Sequence, residues 1–222
     1  MAKVFLLFLF YLLALGSVSF AQDATPEETP VKKANQRPDE PAQKPEPFDD
    51  VDVKTMATKC VVLKTEKGDI RIELFPESAP FTVRNFLNLT AIKAFDNTTF
   101  SRVVPDFVIQ GGDLWTNPEV TNEMKWRAAR TIPDEPNLIK HVPGIVSMAR
   151  GEESNSASTS FFILLTDYEG LDGKFAAFGR VTQGMDVVTE INKMPGENEK
   201  PDDPVTITSA VIEPCSATTA DP

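Results

Sequence analysis

The sequence predicts a mostly β domain, built as a closed antiparallel barrel or a sandwich. Short segments of strand pattern recur from Cys60 almost to the C-terminus, and turn residues separate them. Two segments in that region carry the apolar repeat of a helix. The pattern alone leaves barrel and sandwich both open.

The chain has 222 residues, enough for one domain and additional segments. Met1-Ala-Lys3, an apolar run from Val4 to Leu15 and small residues at Ser19 and Ala21 read as a signal peptide over 1–21. Uncleaved, it would be a membrane anchor, although the uncharged run barely reaches the ~20 residues of a span. Residues 22–57 hold six prolines, nine acidic and five basic side chains, with Phe48 the only aromatic. So little apolar surface predicts a disordered Pro-rich acidic tether.

Strand pattern begins at Cys60. Val61 and Leu63 stand two apart in the apolar run Cys60-Val-Val-Leu63, Glu66-Lys-Gly-Asp69 turns the chain, and Ile70, Ile72 and Leu74 alternate with Arg71 and Glu73. Pro80 suits the first turn of a helix, and Val83, Phe86, Leu87 and Thr90 then share one face. Strand candidates follow at 98–104, 106–110, 145–149, 161–166 and 175–181. Residues 185–194 read as a second helix with Met185, Val188 and Ile191 inward, and 205–213 as a closing strand. The folded domain is placed at 58–216, with a flexible tail at 217–222.

A net charge of -11 argues against a nucleic-acid surface, which needs a basic stripe. One histidine and two distant cysteines do not make a usual zinc site, and no nucleophile-elbow motif is present. His141 is read as a turn residue. Asn88-Leu-Thr90 and Asn97-Thr-Thr99 match the glycosylation acceptor pattern, which is common by chance.

The chemistry is concentrated in Phe100-Ser-Arg-Val-Val-Pro-Asp-Phe-Val-Ile-Gln-Gly-Gly-Asp113, where a guanidinium and an amide stand in an apolar background. With Gly144-Ile-Val-Ser-Met-Ala-Arg150, Ser160-Phe-Phe-Ile163 and Leu171-Asp-Gly-Lys-Phe-Ala-Ala-Phe-Gly179, this stretch resembles the cyclophilin-type peptidyl-prolyl isomerases. The likeness runs from about Cys60 to Cys215. It implies a closed eight-stranded antiparallel barrel with a helix over each open end.

The resemblance also implies the reaction. Amide resonance gives an X–Pro bond a rotation barrier of about 18–20 kcal/mol, so uncatalysed isomerisation takes tens to hundreds of seconds. A catalyst needs no cofactor, nucleophile or metal. It must grip the ring and donate to the prolyl nitrogen as the amide twists. Arg102 matches the family's donor and Gln110 its contact to the substrate backbone. Phe107 matches the floor of the proline pocket, and Val108, Phe162, Leu171 and Phe175 its walls. Arg150 corresponds to a position whose backbone pairs with bound peptide.

Three positions depart from the family. Ser160 replaces a common glutamine, Gly170 an aromatic of the pocket rim, and Phe175 a histidine of many animal members. These departures weaken the expected binding of substrate and of cyclosporin. They keep a second reading open, a proline-peptide binding or chaperone-like module with little catalysis. The loop after Arg150 resembles bacterial members in length. With the signal peptide, and without a Lys-Asp-Glu-Leu-type tail, it favours export to a bacterial envelope, periplasmic or extracellular. The expected partners are proline-containing peptides and unfolded or folding proteins, met by a monomer without nucleic acid. A membrane enters only through an uncleaved signal peptide. In the family's barrel the first and last strands are antiparallel neighbours, which predicts a Cys60–Cys215 disulfide in an oxidising setting.

Overall fold

A computed structural model describes residues 44–215. The expected signal peptide, residues 22–43 of the expected tether and the tail 217–222 lie outside the described residues. The helices are α1 Val53–Ala57, α2 Pro80–Ala91, α3 Asn122–Ala128 and α4 Met185–Asn192. The strands are β1 Lys59–Thr65, β2 Gly68–Leu74, β3 Thr98–Thr99, β4 Arg102–Val104, β5 Val108–Gly111, β6 Ile145–Met148, β7 Phe161–Leu164 and β8 Ala177–Gln183. The hairpin β9 Gly196–Glu197 and β10 Lys200–Pro201 precedes the last strand, β11 Thr206–Pro214.

Nine strands form one antiparallel sheet in the order β3-β11-β1-β2-β8-β6-β7-β5-β4. This corrects the expected closed eight-stranded barrel. The two edge strands, β3 and β4, are halves of the single strand read at 98–104. The first half pairs with β11 and the second with β5. Between them, buried Phe100 donates its N–H to Val205 O at 3.0 Å. The curled sheet therefore returns to its starting point through chain continuity, not through an unbroken ladder of hydrogen bonds. Hairpin β1–β2 and the pairing of β1 with β11 follow the alternation of Val61, Leu63, Ile70 and Ile72, all fully buried.

The core is aromatic. Phe86 on α2 meets Phe95, Phe161 and Phe178 with ring centroids 5.2, 5.4 and 5.0 Å apart. Burying each such ring contributes about 1.5–3 kcal/mol. The face read for α2 is inward, since Val83, Phe86, Leu87 and Thr90 are all buried. On α4, Val188 and Ile191 are buried and Met185 packs partly buried against the core. Four helices, not two, occur among the described residues. The seven-residue α3 and five-residue α1 are too short for a clear periodic signal.

The tether boundary at 57 also needs correction, because residues 44–57 pack on the domain. Met56 is fully buried, and Phe48, Val51 and Val53 lie against the core. Glu46 accepts from Arg127 Nε at 2.7 Å, and both side chains are nearly buried. Arg127 also donates to Asn85 Oδ1 at 2.7 Å. Phe48 N–H donates to Asn88 Oδ1 at 2.7 Å, and Arg84 reaches the carbonyl of Phe48. Average composition hid these anchors. A few well-placed groups suffice when the domain supplies their partners. Asn88, one of the two glycosylation patterns, is buried by this contact.

Cys60 and Cys215 are disulfide-bonded with Cα atoms 5.0 Å apart, within the range the bond requires. Antiparallel pairing of β1 with β11 brings the start of one strand beside the end of the other.

Candidate active site

Strand register builds the site. In hairpin β4–β5, Arg102 stands opposite Gln110, and in β5–β7 Gln110 stands opposite Phe162. Residues at matched positions on neighbouring strands point to one face, so a guanidinium, an amide and a phenyl ring emerge together. Arg102 Nη1 donates to Gln110 Oε1 at 3.3 Å. The turn between β4 and β5 carries Phe107. Asp106 there has a left-handed backbone, φ 57°, and donates its N–H to Asn192 Oδ1 at 2.8 Å. Asn192 Nδ2 in turn donates to Val104 O at 2.8 Å and Val108 O at 3.1 Å. This buried amide on α4 thus fixes the turn that presents Phe107.

Arg102, Phe107, Val108, Gln110, Arg150, Phe162, Leu171 and Phe175 line one open pocket of about 180 Å3. All eight site residues singled out in the sequence meet there, joined by Ala149, which the sequence reading missed. Phe162 and Phe175 pack edge to face at 5.8 Å. The Arg150 guanidinium lies 5.2 Å over the Phe175 ring, so this side chain also builds the wall. Ser160 lies outside this pocket. It lines an adjoining, more polar groove of about 300 Å3 that shares Gln110, Ala149 and Arg150.

The far wall is held by a buried hydrogen-bond chain. His141 Nδ1 lies 3.0 Å from Asp172 Oδ1, and its Nε2 lies 2.8 Å from Ser147 Oγ. The order Ser-His-Asp suggests a nucleophile, but Ser147 is wholly buried and no scissile bond can reach it. Its work is mechanical: it ties the loop before β6 to Asp172, next to Leu171. The Asp172 carboxyl is held far below its ordinary range by a hydrogen bond from Lys140 and by the His141 backbone N–H. Reading His141 as a turn residue missed both contacts: Asp172 lies 31 residues away, and Ser147, only six away, carries no mark in the strand pattern of its turning inward.

Gly170 does not line the pocket. A Cβ built there would lie 2.8 Å from Tyr168 Cε1. Tyr168, half exposed, packs edge to face on Phe107 at 5.2 Å. An aromatic ring two residues earlier in the chain therefore backs Phe107, although Tyr168 does not itself line the pocket.

Residues 60–212 match the family model "Cyclophilin type peptidyl-prolyl cis-trans isomerase/CLD". The chain belongs to this family. Its cyclophilin domain is 37% identical over 168 residues to peptidyl-prolyl cis-trans isomerase cypE of Dictyostelium discoideum, covering 70% of this chain and 98% of that one. A peptidyl-prolyl cis-trans isomerase of Acinetobacter baylyi is 35% identical over 168 residues, 71% of this chain and 87% of that protein. Among solved structures, a cyclophilin type isomerase of Cryptosporidium parvum matches with a TM-score of 0.62 at 29% identity, over 70% of this chain and 97% of that one. The same Cryptosporidium enzyme in the presence of the dipeptide Ala-Pro matches with a TM-score of 0.61 at 30% identity. The protein is thus a cyclophilin of the peptidyl-prolyl isomerase class.

Proposed function

We propose that this cyclophilin isomerises X–Pro bonds of exported proteins, with Arg102 donating to the prolyl nitrogen in the twisted state. The observation that carries the reading is the Arg102 guanidinium held by Gln110 at the edge of an otherwise mainly apolar pocket, while the second cation there, Arg150, lies over the Phe175 ring. The proline ring sits on Phe107 between Val108, Phe162, Leu171 and Phe175. Gln110 holds a flanking backbone carbonyl. In the planar ground state the prolyl lone pair is delocalised and accepts poorly. Twisting localises it, so the Arg102 donor binds the transition state more strongly than either isomer, and the barrier falls. No bond is made or broken and no proton moves.

Export is supported by the disulfide, which persists in oxidising compartments, together with the signal-like residues 1–21. Proline isomerisation can limit folding, so folding chains are the proposed clients, in a bacterial envelope. NMR exchange spectroscopy of an X–Pro peptide tests the reading. The protein should speed cis/trans exchange at substoichiometric concentration. Peptide binding without faster exchange would instead identify a proline-peptide binding module.

A further inference from the structure

Arg102 has a second partner that no motif in the sequence announces. Its Nε–H donates to Glu199 Oε2 at 2.7 Å, across 97 residues of chain. Glu199 lies in the two-residue turn between β9 and β10, where Glu197 pairs with Lys200. Asn198 and Glu199 have φ of 51° and 65°. Two left-handed residues in a hairpin turn ordinarily call for Asn-Gly. Asn198 fits that rule and Glu199 breaks it, because a side chain is disfavoured in this region. Such a residue persists where its surroundings hold it, and it marks a position selected for something other than backbone comfort.

Glu199 is held at both ends. Its carbonyl accepts the N–H of Val103 at 2.8 Å while its carboxylate takes Arg102. One residue therefore grips two consecutive residues of β4, an edge of the sheet. The ion pair is roughly half exposed, 40% and 50% for the two side chains, so it adds little stability. What it fixes is orientation. A guanidinium is planar, with five N–H donors. Glu199 holds Nε and Gln110 holds Nη1, and two anchors define the plane. Among the described residues Nη2 carries no hydrogen bond, and it remains for the substrate.

We propose that Glu199 is a positioning residue that sets the Arg102 guanidinium for donation to the prolyl nitrogen. The inference rests on the reading of Arg102 as the donor. Misplacing a reacting group by an ångström can cost about 100-fold, and partial loss of one anchor should cost less.

The test compares full-length wild type with Glu199→Gly, Glu199→Gln and Arg102→Ala, by NMR exchange at saturating and limiting peptide. Glu199→Gly supplies the residue the turn prefers, so folding is safeguarded and Tm should stay level or rise. Its kcat should nevertheless fall by about tenfold with KM within about twofold. The Arg102 Nε–H resonance should lose its protection from solvent exchange. Glu199→Gln keeps an acceptor and should recover most of kcat. A Glu199→Gly variant with wild-type kcat, or a raised one, overturns the positioning role. If Arg102→Ala is impaired in that experiment, the donor reading survives. If Arg102→Ala also matches wild type, the donor reading falls with the proposal.

Discussion

At the scale of single residues, Gly170 shows how one side chain can stand in for another. The space beside its Cα is filled by the Tyr168 ring, which rests on Phe107. Gly170→Trp should therefore not restore a rim aromatic. It should displace the half-exposed Tyr168 ring from Phe107 at little cost in stability, and so leave binding no tighter than in the wild type. A cyclosporin titration checks this; tighter binding by the variant than by the wild type contradicts it. Asp172 gives a pH prediction. Its folded-state pKa is depressed, chiefly by the hydrogen bond from Lys140. The stability it supplies is then complete above the ordinary carboxyl value of about 4, and is lost as pH falls toward the depressed value. Asp172→Asn should flatten the fall of Tm below about pH 4. Parallel Tm profiles for variant and wild type would count against the clamp.

At the scale of elements, the segment 44–57 behaves as part of the domain. Arg127 is nearly buried and its charge is met by Glu46. Removing one partner of such a pair typically costs about 3–5 kcal/mol. Glu46→Gln should lower the unfolding free energy by about that amount in urea titrations; a change under ~0.5 kcal/mol would show that the segment is merely resting there. Limited proteolysis should leave a core that retains Glu46. The strands and helices α2 and α4 were legible because periodicity is a local signal, and Val83, Phe86 and Leu87 repeat within one helix. Segment 44–57 was not legible, because Arg127, Asn85 and Asn88 supply its anchors from elsewhere in the chain. Among the site residues, Arg102, Phe107 and Gln110 lie within nine residues of sequence and could be read together. Glu199, Asn192, Tyr168 and the His141–Asp172 pair act through distant contacts, and no local pattern marks them.

At the scale of the whole molecule, the disulfide closes the domain over a separation of 155 residues. Chain-entropy reasoning gives about 5 kcal/mol as an upper guide to its worth. The double variant Cys60→Ser/Cys215→Ser should unfold at lower urea concentration yet keep its pocket, since the bond lies beyond the Glu213 end of β11, away from the Thr206–Ile207 end where β3 and the 98–104 segment join it. Lost stability with retained exchange activity is the expected pair of results; activity lost in a variant that remains folded contradicts it. The sheet's return through the 98–104 segment places its edge strand β4 beside hairpin β9–β10, so fold closure and the setting of Arg102 occur in one place. The central claim is that this guanidinium stabilises the twisted prolyl amide. It is tested most directly by NMR exchange of an X–Pro peptide at saturating concentration with Arg102→Ala. The account predicts a fall in kcat of about 100-fold or more, about 3 kcal/mol, with peptide affinity changed only several-fold. A variant that exchanges the peptide as fast as wild type would contradict it.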